Sequence, residues 1–170
     1  MSLNEQFQKV SEQVRNWKTK PSDNENLALY SLFKQATTGD VNIAPSATNL
    51  VASAKFKAWT GRKGMSQDDA KKQYIEMAEK LHSKYQFDKA AEDTKKLKTR
   101  PSDADLLEIY AYFKQATVGD ADPAGKPGIF DLKGKAKYES WASKKGVSKE
   151  DAMNAYIAKA KTLVDSIGLQ

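Results

Sequence analysis

The chain contains the same segment twice. Residues 19–40, TKPSDNENLALYSLFKQATTGD, align with residues 99–120, TRPSDADLLEIYAYFKQATVGD, and more than half of the positions are identical. Residues 54–75 align in the same way with residues 136–157. Because a long internal repeat indicates repeated structural units, we expect two small domains in tandem: copy one over residues 1–85 and copy two over residues 86–170.

The two copies differ in length between the aligned blocks. The offset is 80 residues in the first block and 82 in the second. The extra residues fall where VNIAPSATNLVAS (41–53) faces ADPAGKPGIFDLKGK (121–135). Since length changes are tolerated best at the surface, this stretch is predicted to be a surface loop in each copy.

Each copy has the hydrophobic spacing of four helices and no alternating strand pattern. Phe7, Val10, Val14 and Trp17 recur at helical intervals, and copy two begins again at Phe87. Serine–acid pairs that cap helices precede the second and fourth helices, and glycines follow the second and third. These pairs are Ser22 with Glu25, Ser102 with Asp105, Ser66 with Asp69 and Ser148 with Asp151; the glycines are Gly39, Gly119, Gly64 and Gly146. The predicted fold is all-α.

The junction between the copies does not have the composition of a linker. From Ser66 to Lys98 there is neither proline nor glycine. We therefore predict that the fourth helix of copy one runs directly into the first helix of copy two, or bends only near Ser83–Gln86.

Composition limits the possible partners. The net charge of +6 favours an anionic partner, but only three of the 28 basic residues are arginines, so a nucleic acid is not the expected one. The lack of cysteine excludes disulfides and thiolate metal sites. No apolar run approaches the roughly 20 residues of a membrane span, and residues 1–20 lack the apolar core of a signal peptide. We expect a cytoplasmic monomer without stable membrane insertion.

Tyrosines and lysines recur at matching positions in both copies. Tyr30 and Lys34 lie four residues apart, as do Tyr110 and Lys114, so each pair shares one helical face. A phenol beside an ammonium is a good receptor for phosphate. Lys55 and Lys137 on the third helices, and Tyr74 and Tyr156 on the fourth, add to this pattern. The alternative interpretation is that these tyrosines edge the core and these lysines face solvent.

Copy two, from about Phe87 to Gly168, resembles the acyl-CoA-binding protein family along its whole length. The matching segments are LKTRPSDADLLEIYAYFKQATVGD, KPGIFDLKGKAKYESW and SKEDAMNAYI. Copy one resembles the same family from Phe7 to about Tyr85, with a weaker middle. The resemblance implies two up-down-down-up four-helix bundles, each binding one medium- to long-chain fatty acyl-CoA for buffering and transport, with no cofactor.

The resemblance also assigns roles by position. The tyrosine and lysine that hold the ribose 3′-phosphate become Tyr30 and Lys34 in copy one and Tyr110 and Lys114 in copy two, with Lys55 and Lys137 from the third helices. Tyr74 and Tyr156 are the fourth-helix tyrosines. The first-helix basic residue becomes Arg15 or Lys95, and the small residue one turn earlier becomes Ser11 or Ala91. Leu27 and Leu107 would touch the acyl chain.

Copy one departs from this pattern around its third helix and beside its acyl-contacting leucine. Lys133 and Lys135 of copy two are replaced by Val51 and Ser53, and Asn26 stands where copy two has Leu106. Fewer positive charges should slow the encounter with an anionic ligand. We therefore predict that copy two binds long-chain acyl-CoA more tightly than copy one.

Catalysis has little support in the sequence. The single histidine, His82, is not repeated in copy two, and there is no nucleophile elbow or P-loop. We therefore expect a binding protein and not an enzyme. Two alternatives are a basic helical nucleic-acid binder, which would be retained on DNA in a salt-dependent way, and an interaction scaffold regulated by acyl-CoA.

Overall fold

A computed structural model describes all residues from Met1 to Gln170, and its regular structure is helical. This confirms the all-α prediction. A short 3₁₀ turn lies at Pro123–Gly125. The α-helices are α1 (Leu3–Arg15), α2 (Asp23–Thr37), α3 (Leu50–Thr60), α4 (Gln67–Thr94), α5 (Asp103–Thr117), α6 (Leu132–Ala142) and α7 (Lys149–Ile167).

The chain divides into two compact units, Met1–His82 and Ser83–Gln170. The unit in copy one is built from α1, α2, α3 and the first part of α4, and the unit in copy two from the rest of α4 with α5, α6 and α7. Each is a four-helix bundle. The prediction of a continuous connection is confirmed, because α4 extends without interruption from Gln67 to Thr94.

The capping prediction holds at the start of α2 and α5. Glu25 donates its backbone N–H to Ser22 Oγ (3.2 Å), and its carboxylate accepts from the Ser22 N–H (3.0 Å), which completes a capping box. In copy two, Ser102 caps the Asp105 N–H at 3.2 Å. The Asp105 carboxylate instead pairs with Lys159 on α7 at 2.7 Å. The Glu25 carboxylate therefore caps the N-terminus of its own helix, whereas the Asp105 carboxylate connects α5 with α7.

The first helix is shorter than its apolar stripe predicts. It ends at Arg15, so Trp17 lies beyond the helix. The Trp17 indole stacks on the His82 ring with the centroids 5.9 Å apart. The buried residue of the stripe is Phe7, which packs edge-on against Tyr74 at 5.2 Å.

The loop prediction before the third helix is only partly correct. Residues 41–49 and 121–131 lie outside α-helices, but residues 50–53 and 132–135 form the first turn of α3 and α6. Asn49 and Asp131 cap these turns by accepting the N–H groups of Ala52 (3.0 Å) and Gly134 (2.9 Å). The added residues of copy two therefore lie in the loop and not in the helix.

The second helix is tied to the turn before the fourth by a buried amide in both copies. In copy two, Gln115 Nε2 donates to Asp120 Oδ1 and to the Val147 carbonyl, both at 2.8 Å. Asp120 also accepts the Gly146 N–H at 2.9 Å. The Gly146 hydrogen bond, followed by that of Gln115, lowers the pKa of Asp120.

Copy one contains the same hydrogen bonds among Gln35, Asp40, Gly64 and the Met65 carbonyl. The pKa of Asp40 is also lowered, first by the Gly64 hydrogen bond and then by that of Gln35. The glutamine and the aspartate of the repeated segment Gln-Ala-Thr-x-Gly-Asp thus have a structural role in both copies, because they connect the second helix to the turn before the fourth.

Candidate functional site

Copy two contains a cavity of about 1120 Å³ among its helices. Apolar side chains line it together with four basic and three acidic ones. The lining residues are Phe87, Asp88, Ala91, Glu92, Thr94, Lys95, Arg100, Asp103, Leu106, Leu107, Ile109, Tyr110, Phe113, Thr117, Lys133, Ala136, Lys137 and Tyr156. A cavity of this composition suits a ligand with an anionic end and a long apolar portion.

One cationic part of this cavity is formed by α5 and α6. Lys137 Nζ lies 5.2 Å from the centroid of the Tyr110 ring. Lys133, one helical turn before Lys137, also lines the cavity, as does Lys95. A phenol and several ammonium groups around one opening provide hydrogen-bond donors and positive charge for phosphate.

The inner wall is an aromatic cluster. The ring of Tyr156 lies 5.0 Å from that of Phe87 and 5.8 Å from that of Phe113. Tyr156 is 3% exposed, and burial raises the pKa of its phenol. Its hydroxyl lies 3.2 Å from Thr94 Oγ1. The phenol is therefore neutral at physiological pH and can act as a hydrogen-bond donor.

The structure brings together six of the seven residues predicted for copy two: Ala91, Lys95, Leu107, Tyr110, Lys137 and Tyr156. The seventh, Lys114, does not line the cavity. Its Nζ lies 4.7 Å from the ring of Trp141, whose indole N–H donates to the Gly119 carbonyl at 2.7 Å. A spacing of four residues placed Lys114 on the face of Tyr110, but the flexible lysine side chain reaches a neighbouring aromatic ring instead.

Copy one has a smaller cavity of about 620 Å³ between α2 and α3. Its lining residues are Asp23, Asn26, Leu27, Tyr30, Leu50, Val51, Ala54 and Lys55. Three of the six predicted residues, Leu27, Tyr30 and Lys55, are among them. Lys55 Nζ lies 5.2 Å from the Tyr30 ring, the same distance as in the equivalent pair of copy two.

The other three predicted residues of copy one lie outside this cavity. Lys34 Nζ is 4.8 Å from the ring of Trp59. The Arg15 guanidinium carbon lies 6.0 Å from the Phe33 ring. Tyr74 is packed in the core, and burial raises the pKa of its phenol while the charge of Arg15 opposes that shift.

Several cavity residues of copy two were not singled out from the sequence. Phe113 and Thr94 are the main examples. The Phe113 signal was present in the repeat, because Phe33 occupies the same position in copy one. Thr94 had no such signal, since its equivalent in copy one is Val14.

Neither a metal-holding cluster nor a candidate membrane span occurs in the structure. It has no group of three or more histidine, cysteine, aspartate or glutamate side chains placed to hold a metal ion. None of its helices combines the length and the apolar character needed to cross a bilayer.

Comparison with known proteins gives consistent matches. The family model described as "Acyl CoA binding protein" matches twice, over residues 4–78 and 84–160. An "Acyl-CoA-binding protein homolog" from Manduca sexta is 62% identical over 85 residues, which span 50% of this chain and 94% of that protein. The crystal structure of Oryza sativa Acyl-CoA-Binding Protein 2 matches with 40% identity and a TM-score of 0.49, covering 52% of this chain and 95% of that one.

Proposed function

Because this chain belongs to the acyl-CoA-binding protein family, whose model it matches twice, we propose that each copy binds one fatty acyl-CoA and performs no chemistry on it. The observation that carries the proposal is the cavity of copy two, where Lys137 and Tyr110 stand beside walls formed by Leu107 and Phe113. A coenzyme A ester has the same division, with phosphates at one end and an acyl chain at the other.

The proposed head-group site is built from α5 and α6. Lys137 and Tyr110 hold the ribose 3′-phosphate, and Lys95 contributes further positive charge. Lys114 joins them by turning away from Trp141, a motion that requires only side-chain rotation of a lysine. In copy one, Lys55 and Tyr30 take the same roles, with Lys34 leaving Trp59 and Arg15 leaving Phe33.

The proposed acyl site is the apolar wall of the cavity. Leu106, Leu107 and Ile109 line it in copy two, and Leu27 does so in copy one. Burying a methylene group contributes about 0.8 kcal/mol, so a chain of about 16 carbons offers on the order of 10 kcal/mol before costs. Association and chain ordering remove several kcal/mol of this. The tail therefore supplies most of the affinity for a long-chain ester over free coenzyme A.

The phosphate contacts supply selectivity. A hydrogen bond to a charged group contributes about 1.5–3 kcal/mol, so losing one of them weakens binding by roughly 10-fold or more. We propose that long-chain esters are the preferred ligands, and that the monomeric protein buffers and transports them in the cytoplasm.

Each copy is proposed to act as a separate domain, over residues 1–85 and 86–170. Since one acyl-CoA offers only one head group, joining two such domains increases capacity without avidity. The two halves expressed alone should each fold to a helical protein, as measured by circular dichroism. An unfolded half would refute the division.

Native mass spectrometry and calorimetry with palmitoyl-CoA test the proposed function directly. The full chain should take up two ligands, and free coenzyme A should bind far more weakly. Incubation with the protein should release no free thiol, which Ellman's reagent would detect. The absence of any complex at micromolar concentrations would overturn the proposal.

A further inference from the structure

The loop before α6 exposes three large apolar side chains within four residues. Ile129 is 75%, Phe130 93% and Leu132 75% exposed. Single exposed apolar residues are common on soluble proteins, but contiguous patches of them mark interaction surfaces. We call these three residues the apolar tip.

The apolar tip is held in place by a structured loop. The Asp131 N–H donates to the Gly128 carbonyl at 3.1 Å, and Asp131 Oδ1 accepts the Gly134 N–H at 2.9 Å. The Tyr138 hydroxyl donates to the Asp122 carbonyl at 3.2 Å at the start of the same loop. The exposed apolar tip therefore lies on a hydrogen-bonded turn that leads into α6.

Lysines flank the apolar tip in the sequence. Residues 121–137 contain four lysines and two aspartates, and one of those aspartates, Asp131, is engaged in capping α6. Lys126 and Lys133 are exposed, and Lys133 also lines the cavity. Apolar side chains flanked by lysines fit the boundary of an anionic bilayer, where the tip enters the acyl region and the ammonium groups meet phosphates.

Copy one provides an internal contrast. Ile43, Leu50 and Val51 are 56%, 88% and 64% exposed, so its corresponding loop is also apolar. However, that loop has no charged residue from Val41 to Ala54. The loop of copy one therefore has exposed apolar side chains but no lysines that could bind anionic lipid.

We propose that copy two docks reversibly on bilayers containing anionic phospholipid, through the apolar tip and the lysines around it. This goes beyond acyl-CoA binding, and it does not depend on that function. Because Leu132 is followed directly by Lys133 on the cavity wall, docking brings the cavity opening to the lipid surface. Where the proposed function also holds, acyl-CoA exchanges between bilayer and cavity at this contact.

Flotation of the full chain with vesicles, in the absence of acyl-CoA, tests the docking. Vesicles of phosphatidylcholine with phosphatidylserine should bind the protein at least tenfold more than phosphatidylcholine alone, and high salt should remove the difference. Phe130→Ser should lower binding about tenfold, and Phe130→Leu should restore most of it. Lys126→Ala should cost roughly fivefold.

Ile43→Ser is the matched control, because it removes an exposed apolar residue from the uncharged loop. It should leave vesicle binding unchanged. Equal losses for Ile43→Ser and Phe130→Ser, or no binding of the wild type to anionic vesicles, would overturn the proposal; the latter result would leave the tip as a surface for a protein partner.

A vesicle-free titration with palmitoyl-CoA separates this proposal from the proposed function. Phe130→Ser should bind palmitoyl-CoA as the wild type does. If its affinity falls in this titration, Phe130 belongs to the ligand site and the docking proposal is wrong. If neither protein binds palmitoyl-CoA but vesicle binding follows the expected pattern, docking stands and the proposed function fails.

Discussion

Copies one and two share their motif residues but arrange them around cavities of different extent. In copy two, residues from α4, α5, α6 and α7 line one cavity of about 1120 Å³. In copy one, only α2 and α3 line a cavity of about 620 Å³. Lys95 lines the cavity of copy two, whereas its counterpart Arg15 lies on the Phe33 ring. The same motif residues at the same spacing therefore do not produce the same cavity, because the neighbouring side chains differ between the copies.

The walls of the two cavities also differ in chemistry. Asn26 lies where copy two has Leu106, and Val51 lies where copy two has Lys133. The Asn26 amide donates to the Pro21 carbonyl at 3.1 Å. Copy one therefore offers less apolar surface for an acyl chain and less positive charge for a head group, which supports the prediction that copy two binds more tightly.

The largest expected effect comes from removing the third-helix lysine of either copy. Lys137→Ala should weaken binding of palmitoyl-CoA to copy two by roughly 10- to 100-fold, since it removes charge-assisted hydrogen bonds to phosphate. Lys55→Ala should have the corresponding effect on copy one alone. Calorimetry on the two variants then yields the affinity of each remaining site, and Lys55→Ala should show the tighter one.

An ester lacking the 3′-phosphate makes this test specific. The ligand palmitoyl-3′-dephospho-CoA should bind Lys137→Ala and the wild type with similar affinity at copy two. Lys161→Ala is the matched control, because Lys161 pairs with Asp165 on the surface and does not line the cavity. Equal weakening by Lys161→Ala, or tighter binding at copy one, would contradict the comparison.

A smaller effect is expected from exchanging the residue beside the acyl-contacting leucine. Asn26→Leu should tighten binding of palmitoyl-CoA to copy one by about fourfold for each methylene it allows to be buried. The reverse change, Leu106→Asn, should weaken copy two by a similar factor. Competition with octanoyl-CoA is the appropriate measurement, because a change at the acyl wall should alter the preference between chain lengths. Unchanged preferences in both variants would show that this position does not face the chain.

The fold could be predicted from the sequence because its signals are local and occur twice. The serine caps, the glycines after α2 and α5, and the lack of a breaker within α4 each depend on a few neighbouring residues. The positions of the lysine ammonium groups could not be predicted, because residue spacing fixes the helical face of a lysine but not the conformation of its flexible side chain. Lys34 and Lys114 both lie over tryptophans that are distant in sequence.

The buried glutamines were missed for a different reason. Gln35 and Gln115 are each 1% exposed, and each donates to an aspartate five residues ahead and to a backbone carbonyl about thirty residues away in sequence. The signal was the identical Gln-Ala-Thr-x-Gly-Asp segment in both copies. Burial and long-range hydrogen bonds assign Gln35 and Gln115 to the scaffold.

Adding the missing lysines to copy one should have a modest effect that depends on salt. Val51→Lys with Ser53→Lys should raise the association rate of palmitoyl-CoA with copy one on the order of threefold at low salt and hardly at all at high salt. Stopped-flow mixing in a Lys137→Ala background isolates this site. Val51→Gln with Ser53→Gln matches the polarity without charge and should leave the rate unchanged. A rate increase that persists at high salt would show that these residues act by contact and not by long-range attraction.

The smallest expected effect concerns an ion pair that only copy two contains. Lys159 Nζ on α7 lies 2.7 Å from Asp105 and 3.0 Å from Glu108 on α5. Copy one has Met77 in place of Lys159. The hydrogen bond from Lys159, followed by that of Ser102, lowers the pKa of Asp105, and the same pairing raises the pKa of Lys159.

Because the folded state lowers the pKa of Asp105, this carboxylate stabilises the fold above its ordinary pKa, and the contribution is lost as the pH falls through the lowered value. The raised pKa of Lys159 keeps its ammonium charged at every pH below the ordinary lysine range, so the loss in acid comes from the carboxylates. Lys159→Met should thus lower the unfolding temperature of copy two by a few degrees at most at neutral pH, and not at all once both carboxylate partners of Lys159 are protonated. Thermal unfolding of residues 86–170, followed by circular dichroism across the acidic range, measures this, with Lys161→Met as the control. A loss of equal size at all pH values would mean that the ion pair of Lys159 with Asp105 and Glu108 is not its cause.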